Sequence, residues 1–186
     1  MSEDLIIKHC SPTLAGLKTA NLFTCTYTSK TNVEKASEHF NKIFNPKGVC
    51  LLPLKYQGNR VLVYIFRPKK LAKDLTDAKA KKILTQAGYS SFDVESCLQR
   101  LIHRINGCQE FPHEIGLFLG YPPEDVQGFI CNKGHCYQCC GCWKVYNNRE
   151  KAEREFAKYK KCSDVYYSKW ITGTSISKLV VSLQSV

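Results

Sequence analysis

The clearest hydrophobic pattern in the chain is "RVLVYIFRP", where Val61, Val63 and Ile65 alternate with Leu62, Tyr64 and Phe66, so that an extended segment is apolar on both faces. A strand of that kind needs cover on both sides and belongs in the middle of a sheet. Ahead of it, "GVCLLPLKYQ" reads as a second strand, and Gly58 and Asn59 between the two supply a hairpin turn. Pro53 removes a ladder donor from that second run, which predicts an edge or a bulge there. Nearer the N-terminus, "LIIKHC" (residues 5–10) is a short apolar run that fits a strand. "SPTLAGLKTANLF" then opens a helix, with Ser11 as N-cap and Pro12 at the first helical position.

Helical spacing takes over further along. "LTDAKAKKILTQAGY" predicts a helix ended by Gly88, and "SSFDVESCLQRLIHRING" another, with Phe92, Cys97, Leu98, Leu101 and Ile105 near one face and Gly107 at its close. "HEIGLFL" reads as a helix burying Ile115, Leu117, Phe118 and Leu119. Gly120 stops it, and "PPEDVQGFI" starts the next with prolines and two acids. "CWKVY" is short and β-compatible. "NNREKAEREFAKYKK" is a helix capped by Asn147 or Asn148 that continues through "SDVYYSKWITG" to Gly173, and the tail "SISKLVVSLQSV" fits either strand or helix. Together these elements predict an α+β fold with a small central sheet that includes a hairpin, several covering helices and a helix-rich C-terminal half. Neither an internal repeat nor a low-complexity linker divides the chain, so a single globular domain over residues 1–186 is expected.

Composition narrows the function classes. The 186 residues suffice for a core without staples, and no segment approaches the ~20 apolar residues that cross a bilayer. The start "MSEDLIIKHC" is acidic and lacks the basic lead and long apolar middle of a secretory signal, so the expected location is the cytoplasm, with no membrane role. Eleven cysteines, an odd number without an export signal, are then expected as reduced thiols serving as core fillers, metal ligands or reactive groups. The net charge of +11 raises nucleic acid as a partner. Its basic residues are spread over "RPKKLAKD", "DAKAKKIL" and the helix where Glu150, Glu153 and Glu155 interleave, and no nucleic-acid motif accompanies them. Nucleic acid is therefore not the expected partner. An anionic small molecule can use the same charge. No heptad or other pattern fixes an oligomeric state.

Three stretches carry candidate chemistry. With a helix starting at Ser11, Cys10 would sit at its amino end, where unpaired N–H groups and the helix dipole favour a thiolate, the more so with a cation such as Lys18 nearby. The same N–H groups, with the Ser11 and Thr13 hydroxyls, could instead hold a phosphate or carboxylate of a ligand. The alternative is a buried cysteine followed by an ordinary capped helix. In "FPHEIGLFLGYPPEDVQGFI" (residues 111–130), His113 offers a ring that titrates near neutral pH and Glu114 a carboxylate, candidates for the base and the group that orients it. Adjacent helical residues point about 100° apart, so spacing alone does not make them a pair. The alternative has His113 bonded to a backbone carbonyl. In "CNKGHCYQCCGCWKVY", Cys136 and Cys139 form a CxxC that can bite one zinc or, less readily, an iron–sulfur cluster, with Cys131 and Cys162 available to complete four ligands. A dithiol redox role lacks the βαβ surroundings that support it, and reduced thiols in a turn are the remaining reading.

The stretches "HCSPTLAGLKTANLF", "FPHEIGLFLGYPPEDVQGFI" and "GCWKVYNNREKAEREFAKYKKC" resemble a bacterial domain-of-unknown-function family, common in clostridia and related Firmicutes, marked by Pro-His-Glu and Leu-Gly-Tyr-Pro motifs. Those motifs fall at Pro112 to Glu114 and Leu119 to Pro122. The resemblance implies a single-domain cytoplasmic protein of a largely anaerobic lineage, in keeping with reduced thiols, and favours a common site for the Cys10 and His113 regions. It carries no activity with it. Two classes of function follow from the residues. One is a thiol enzyme of acyl or related group transfer, with Cys10 as nucleophile, His113 as base or acid, Glu114 orienting the ring, and Lys18, Lys55 or Arg67 attracting an acidic substrate. The other is a non-catalytic protein that binds a metal through Cys131, Cys136, Cys139 and Cys162, or an anionic ligand near Cys10.

Overall fold

The computed structural model describes residues 1–107 and 110–183. The chain divides into two compact units, Met1–Lys69 with Tyr159–Val186, and Lys70–Lys158. The fold is α+β, with a three-stranded antiparallel sheet built round a hairpin, a second small sheet, and a long helix near the C-terminus.

In the first unit, strands β1 (Ala20–Thr26), β2 (Cys50–Gln57) and β3 (Arg60–Phe66) form the sheet in the order β1-β3-β2. The doubly apolar "RVLVYIF" is thus the central strand, as its pattern requires. Gly58 makes the β2–β3 turn with φ +58°, and the register slips between Pro53 and Lys55, so Pro53 marks a bulge on an edge strand. Val61, Val63 and Ile65 face a core shared with Phe23, Cys25 and Leu51. Helix α2 (Lys30–Phe44) packs Val33, Phe40 and Phe44 into that core; its N-cap Ser29 accepts from the Asn32 backbone N–H at 3.2 Å. Its apolar positions, Val33, Phe40 and Phe44, recur at helical spacing.

The N-terminal segment corrects the expected strand. Residues 5–10 belong to helix α1 (Glu3–Leu14), which begins with Glu3 and Asp4 in its first turn, where acids suit the helix dipole. Ile6, Ile7, Cys10 and Leu14 form one buried stripe on it. Pro12 lies inside the last turns and not at the start, and the Ser11 hydroxyl donates to the Ile7 carbonyl. "ANLF", read as the end of a helix, is instead the start of β1.

A single arginine ties the ends of this unit together. Arg67, 1% exposed, donates from Nε to the Thr13 carbonyl at 2.7 Å, from one terminal nitrogen to Leu14 O (2.6 Å) and Val181 O (2.8 Å), and from the other to Lys47 O at 3.3 Å. It satisfies the last carbonyls of α1 and fixes the returning C-terminal segment. Long helix α8 (Arg149–Ile171) runs as one element, with Gly173 at φ +92° just past its end. The tail forms the short α9 (Ile176–Leu179), whose end carbonyls at Ser177 and Val180 accept from Lys47 Nζ. Residues 184–186 of that tail lie outside the described residues.

The second unit is mainly helical. A short α3 (Pro68–Leu75), unanticipated in the sequence reading, leads into α4 (Ala78–Gln86), capped by the Asp77 carboxylate and followed by Gly88 at φ +84°. In α5 (Val94–Gly107) the Asp93 carboxylate accepts from Ser96 N at 2.8 Å, so the helix starts after Phe92, and Cys97, Leu98, Leu101 and Ile105 make its buried face. The turn α6 (Ile115–Phe118), α7 (Pro123–Cys131) and the small hairpin β4 (Cys139–Cys140) with β5 (Lys144–Val145) complete it. Among the described residues, no helix is long and apolar enough to cross a membrane.

Candidate functional site

A cavity of about 350 Å³ opens in the second unit where α6, α7 and the β4–β5 hairpin meet. Its walls are Phe111, Ile115, Tyr121, Val126, Phe129 and Trp143, with the backbones of Gly116 and Gly141, and its polar groups are His113, Asp125, Cys140, Cys142 and Lys144. Most of this comes from the two motif segments. α6 can pass close to α7 only because position 116 lacks a side chain: a Cβ on Gly116 would fall 2.7 Å from Val126 Cγ2. Gly120, at φ +72°, ends α6, and the Tyr121 N–H bonds back to Gly116 O at 2.9 Å, which turns the tyrosine ring toward the hairpin. Pro122 and Pro123 then start α7.

Asp125, in the first turn of α7 and 4% exposed, anchors the hairpin to the helix. One of its oxygens accepts from Trp143 Nε1 at 2.7 Å, the other from the backbone N–H groups of Tyr146 (2.8 Å) and Asn147 (3.0 Å). Trp143 is further held by Tyr121, stacked at 4.9 Å between ring centroids, and by Phe156, edge-on at 4.6 Å. The indole is therefore a fixed wall. At the turn, a Cβ on Gly141 would meet the Phe156 ring at 2.3 Å, so only glycine fits. The Lys144 ammonium donates to Gly134 O at 2.8 Å and lies over the Phe129 and Tyr137 rings, 5.7 and 4.8 Å from their centroids.

The His113–Glu114 pair separates. His113 is exposed and lines the cavity, its ring T-shaped to Phe129 at 5.0 Å. Glu114, 3% exposed, turns into the fold, where Oε1 takes Arg104 Nε at 2.5 Å and the Tyr89 hydroxyl at 3.2 Å. Burial and the neighbouring Glu114 carboxylate both push the Tyr89 hydroxyl above the ordinary tyrosine range, which keeps it a donor. Glu114 holds the motif in place and does not orient the His113 ring.

Cys10 lies within α1, 0% exposed, and not at a helix start. Burial pushes its thiol far above the ordinary cysteine range, outweighing the opposing charge of Lys18. The physical premise for an activated thiolate is thus absent. Cys10 belongs to the first unit and His113 to the second. The other proposed ligand groups of the first unit are committed to the fold: Ser11 to Ile7 O, Thr13 to the Asn21 side chain at 2.7 Å, and Arg67 to four carbonyls. Lys18 is 6% exposed, and Lys55 is a half-buried residue of β2 beyond the bulge.

Among the described residues, no three His, Cys, Asp or Glu side chains gather as a ligand set. Of the four expected ligands, Cys131, Cys136 and Cys139 belong to the second unit and Cys162 to the first. None of the ten described cysteines is in a disulfide. The residues that sequence reasoning missed are Tyr121, Asp125, Phe129, Trp143 and Lys144. No spacing rule connects position 125 to position 143. The available signal was a tryptophan beside a lysine in "CWKVY", which marks an amphipathic wall as readily as a strand.

Residues 6–180 match a family described as protein of unknown function, DUF3793. The chain belongs to that family. The match takes in the segments that build both units, the cavity included. No curated protein matches the DUF3793 chain, and no solved structure matches it.

Proposed function

We propose that this DUF3793 protein is a non-catalytic binder of a small, largely apolar molecule, and that the ligand occupies the cavity between α6, α7 and the β4–β5 hairpin. The carrying observation is that the cavity is preformed and held open: Trp143 is fixed by Asp125, Tyr121 and Phe156, and glycine at 116 and 141 keeps the backbones close. A volume of about 350 Å³ lies in the range of small-molecule sites, and apolar walls with few polar groups are the usual composition of such sites. The thiols of the described cysteines support a reducing compartment such as the cytoplasm.

The test uses an uncharged fluorophore, N-phenyl-1-naphthylamine. Saturable binding at one site per chain, abolished by Cys142→Trp, which places a bulky ring on the cavity wall, is the expected result. Absence of saturable binding, or binding unaffected by that substitution, would refute it.

A second reading keeps thiol chemistry and moves it. Exposed Cys140 and Cys142 line the same cavity as His113, so the nucleophile of a thiol enzyme would be one of them and not Cys10. Its mark is an alkylation rate at Cys140 or Cys142 that drops at least about tenfold in His113→Gln. An unchanged rate removes it.

A further inference from the structure

Resting on that reading of the cavity, we propose that its ligand is a flat aromatic carboxylate, with the ring against Phe129 and Trp143 and the carboxylate taken by the Lys144 ammonium.

Two formally charged side chains line the cavity, and they are used unequally. The Asp125 carboxylate is consumed by Trp143 Nε1 and two backbone N–H groups, all within 3.0 Å. It has little left for a guest. Lys144 gives one bond, to Gly134 O, out of the three an ammonium can donate, and among the described residues it pairs with no carboxylate. Its other neighbours are the faces of Phe129 and Tyr137, which hold a cation without neutralising it. The cavity therefore presents, beside an aromatic wall, an ammonium with no ion-pair partner among the described residues, while the Asp125 charge on the same lining is turned to three N–H donors. His113, on the same wall and packed on Phe129, adds a ring nitrogen that can donate.

This arrangement selects a chemical class. A cationic guest would face the Lys144 ammonium, and the oxygens of the one acid in the lining, Asp125, already accept from three N–H donors. A nucleotide or other polyphosphate would need a run of backbone N–H donors, whereas the walls here are aromatic and aliphatic side chains. A monoanionic acid on one or two fused rings satisfies both parts, because its charge meets the ammonium in apolar surroundings that strengthen the bond. The anionic ligand expected from the overall basic charge is thereby attached to a residue of the second unit, and not to Lys18, Lys55 or Arg67.

Isothermal titration of the full chain with 2-naphthylacetate and with its uncharged isostere 2-naphthylacetamide tests this. The expected result is a single site at which the acid binds at least about tenfold more tightly than the amide, the difference made by one charge-assisted hydrogen bond. Lys144→Met should abolish the preference, so that acid and amide bind with equal affinity, and Lys144→Arg should keep it. Equal affinity for acid and amide in the wild-type chain overturns the carboxylate assignment, while saturable N-phenyl-1-naphthylamine binding would leave the cavity reading standing. A preference for the acid that survives in Lys144→Met overturns the role of Lys144. If Lys144→Met does not fold, the wild-type comparison and the Lys144→Arg chain still decide the outcome. Loss of binding by all three compounds is failure of the cavity reading itself.

Discussion

The Glu114 carboxylate is paired with the Arg104 guanidinium at 2.5 Å and not with the adjacent His113, so neighbours in the motif serve different ends: one holds the fold, the other faces the cavity. Glu114 is almost fully buried, while Arg104 keeps about a quarter of its side chain exposed. Removing the guanidinium leaves a buried carboxylate with the Tyr89 hydroxyl as its remaining described side-chain partner. Arg104→Ala is expected to cost about 3 kcal/mol, toward the low end for a broken buried pair because water reaches the arginine. His113→Gln should leave stability within about 0.5 kcal/mol, as for other exposed positions. Urea unfolding of the two variants checks both, and equal losses would contradict the division of roles.

Arg67 is predicted to be structural. Four carbonyls from three separate stretches accept from it, and a methionine there fills similar volume while removing all four bonds, leaving Thr13 O and Leu14 O only their backbone donors at Gly16 and Val181. Arg67→Met should lose about 3–5 kcal/mol, and Arg67→Lys nearly as much, because an ammonium cannot reproduce the planar fork. A lysine variant as stable as the parent, by chemical denaturation, would show that charge alone matters there.

Thiol reactivity separates the buried cysteines from the exposed ones. Cys10 and Cys97 are 0% exposed, whereas Cys131, Cys136, Cys140 and Cys142 are open to reagent. Iodoacetamide labelling of native protein, followed by peptide mass spectrometry, should modify the second group first and leave Cys10 untouched until the protein unfolds. Early labelling of Cys10 would restore it as a nucleophile.

Alkaline pH should destabilise the protein. Burial pushes the Cys97 thiol, with help from the Asp93 charge, and the Cys162 thiol from an ordinary 9.0 up to about 11, and the Tyr166 hydroxyl from 10.0 to about 12. In each case the fold holds the proton more tightly than the unfolded chain. The stabilisation is therefore complete below pH 9 and lost as pH rises through the folded values. Denaturant midpoints should be level from about pH 7 to 8.5 and fall steadily above about pH 9. A midpoint flat to about pH 10.5 would contradict that burial.

How far the chain could be read from sequence depended on whether a pattern was long enough to exclude alternatives. β3 was legible because six consecutive residues, Val61 to Phe66, are apolar on both faces, and α8 because its charged spacing runs through a cap, a long body and a closing glycine. "LIIKHC" was misread, since six residues suit a strand as well as a helix, and the deciding information, two acids in the first turn and Leu14 completing the stripe, lay outside the run. That error moved Cys10 to a helix tip and with it the proposed nucleophile. The polar motif did mark the cavity through His113. Its other half was hidden because the bond from Trp143 to Asp125 spans eighteen positions and joins a hairpin to a helix, a relation that no local spacing encodes.

The most direct measurement follows the two tryptophan indole N–H resonances of isotope-labelled protein while 2-naphthylacetate is added. Trp143 lines the cavity in the second unit, and Trp170 lies in the first, bonded to Glu3 at 3.4 Å. The Trp143 signal should shift and saturate at one ligand per chain while that of Trp170 stays in place. A Trp143 signal that does not move, or two signals that drift together without saturating, would contradict the cavity as the site of function.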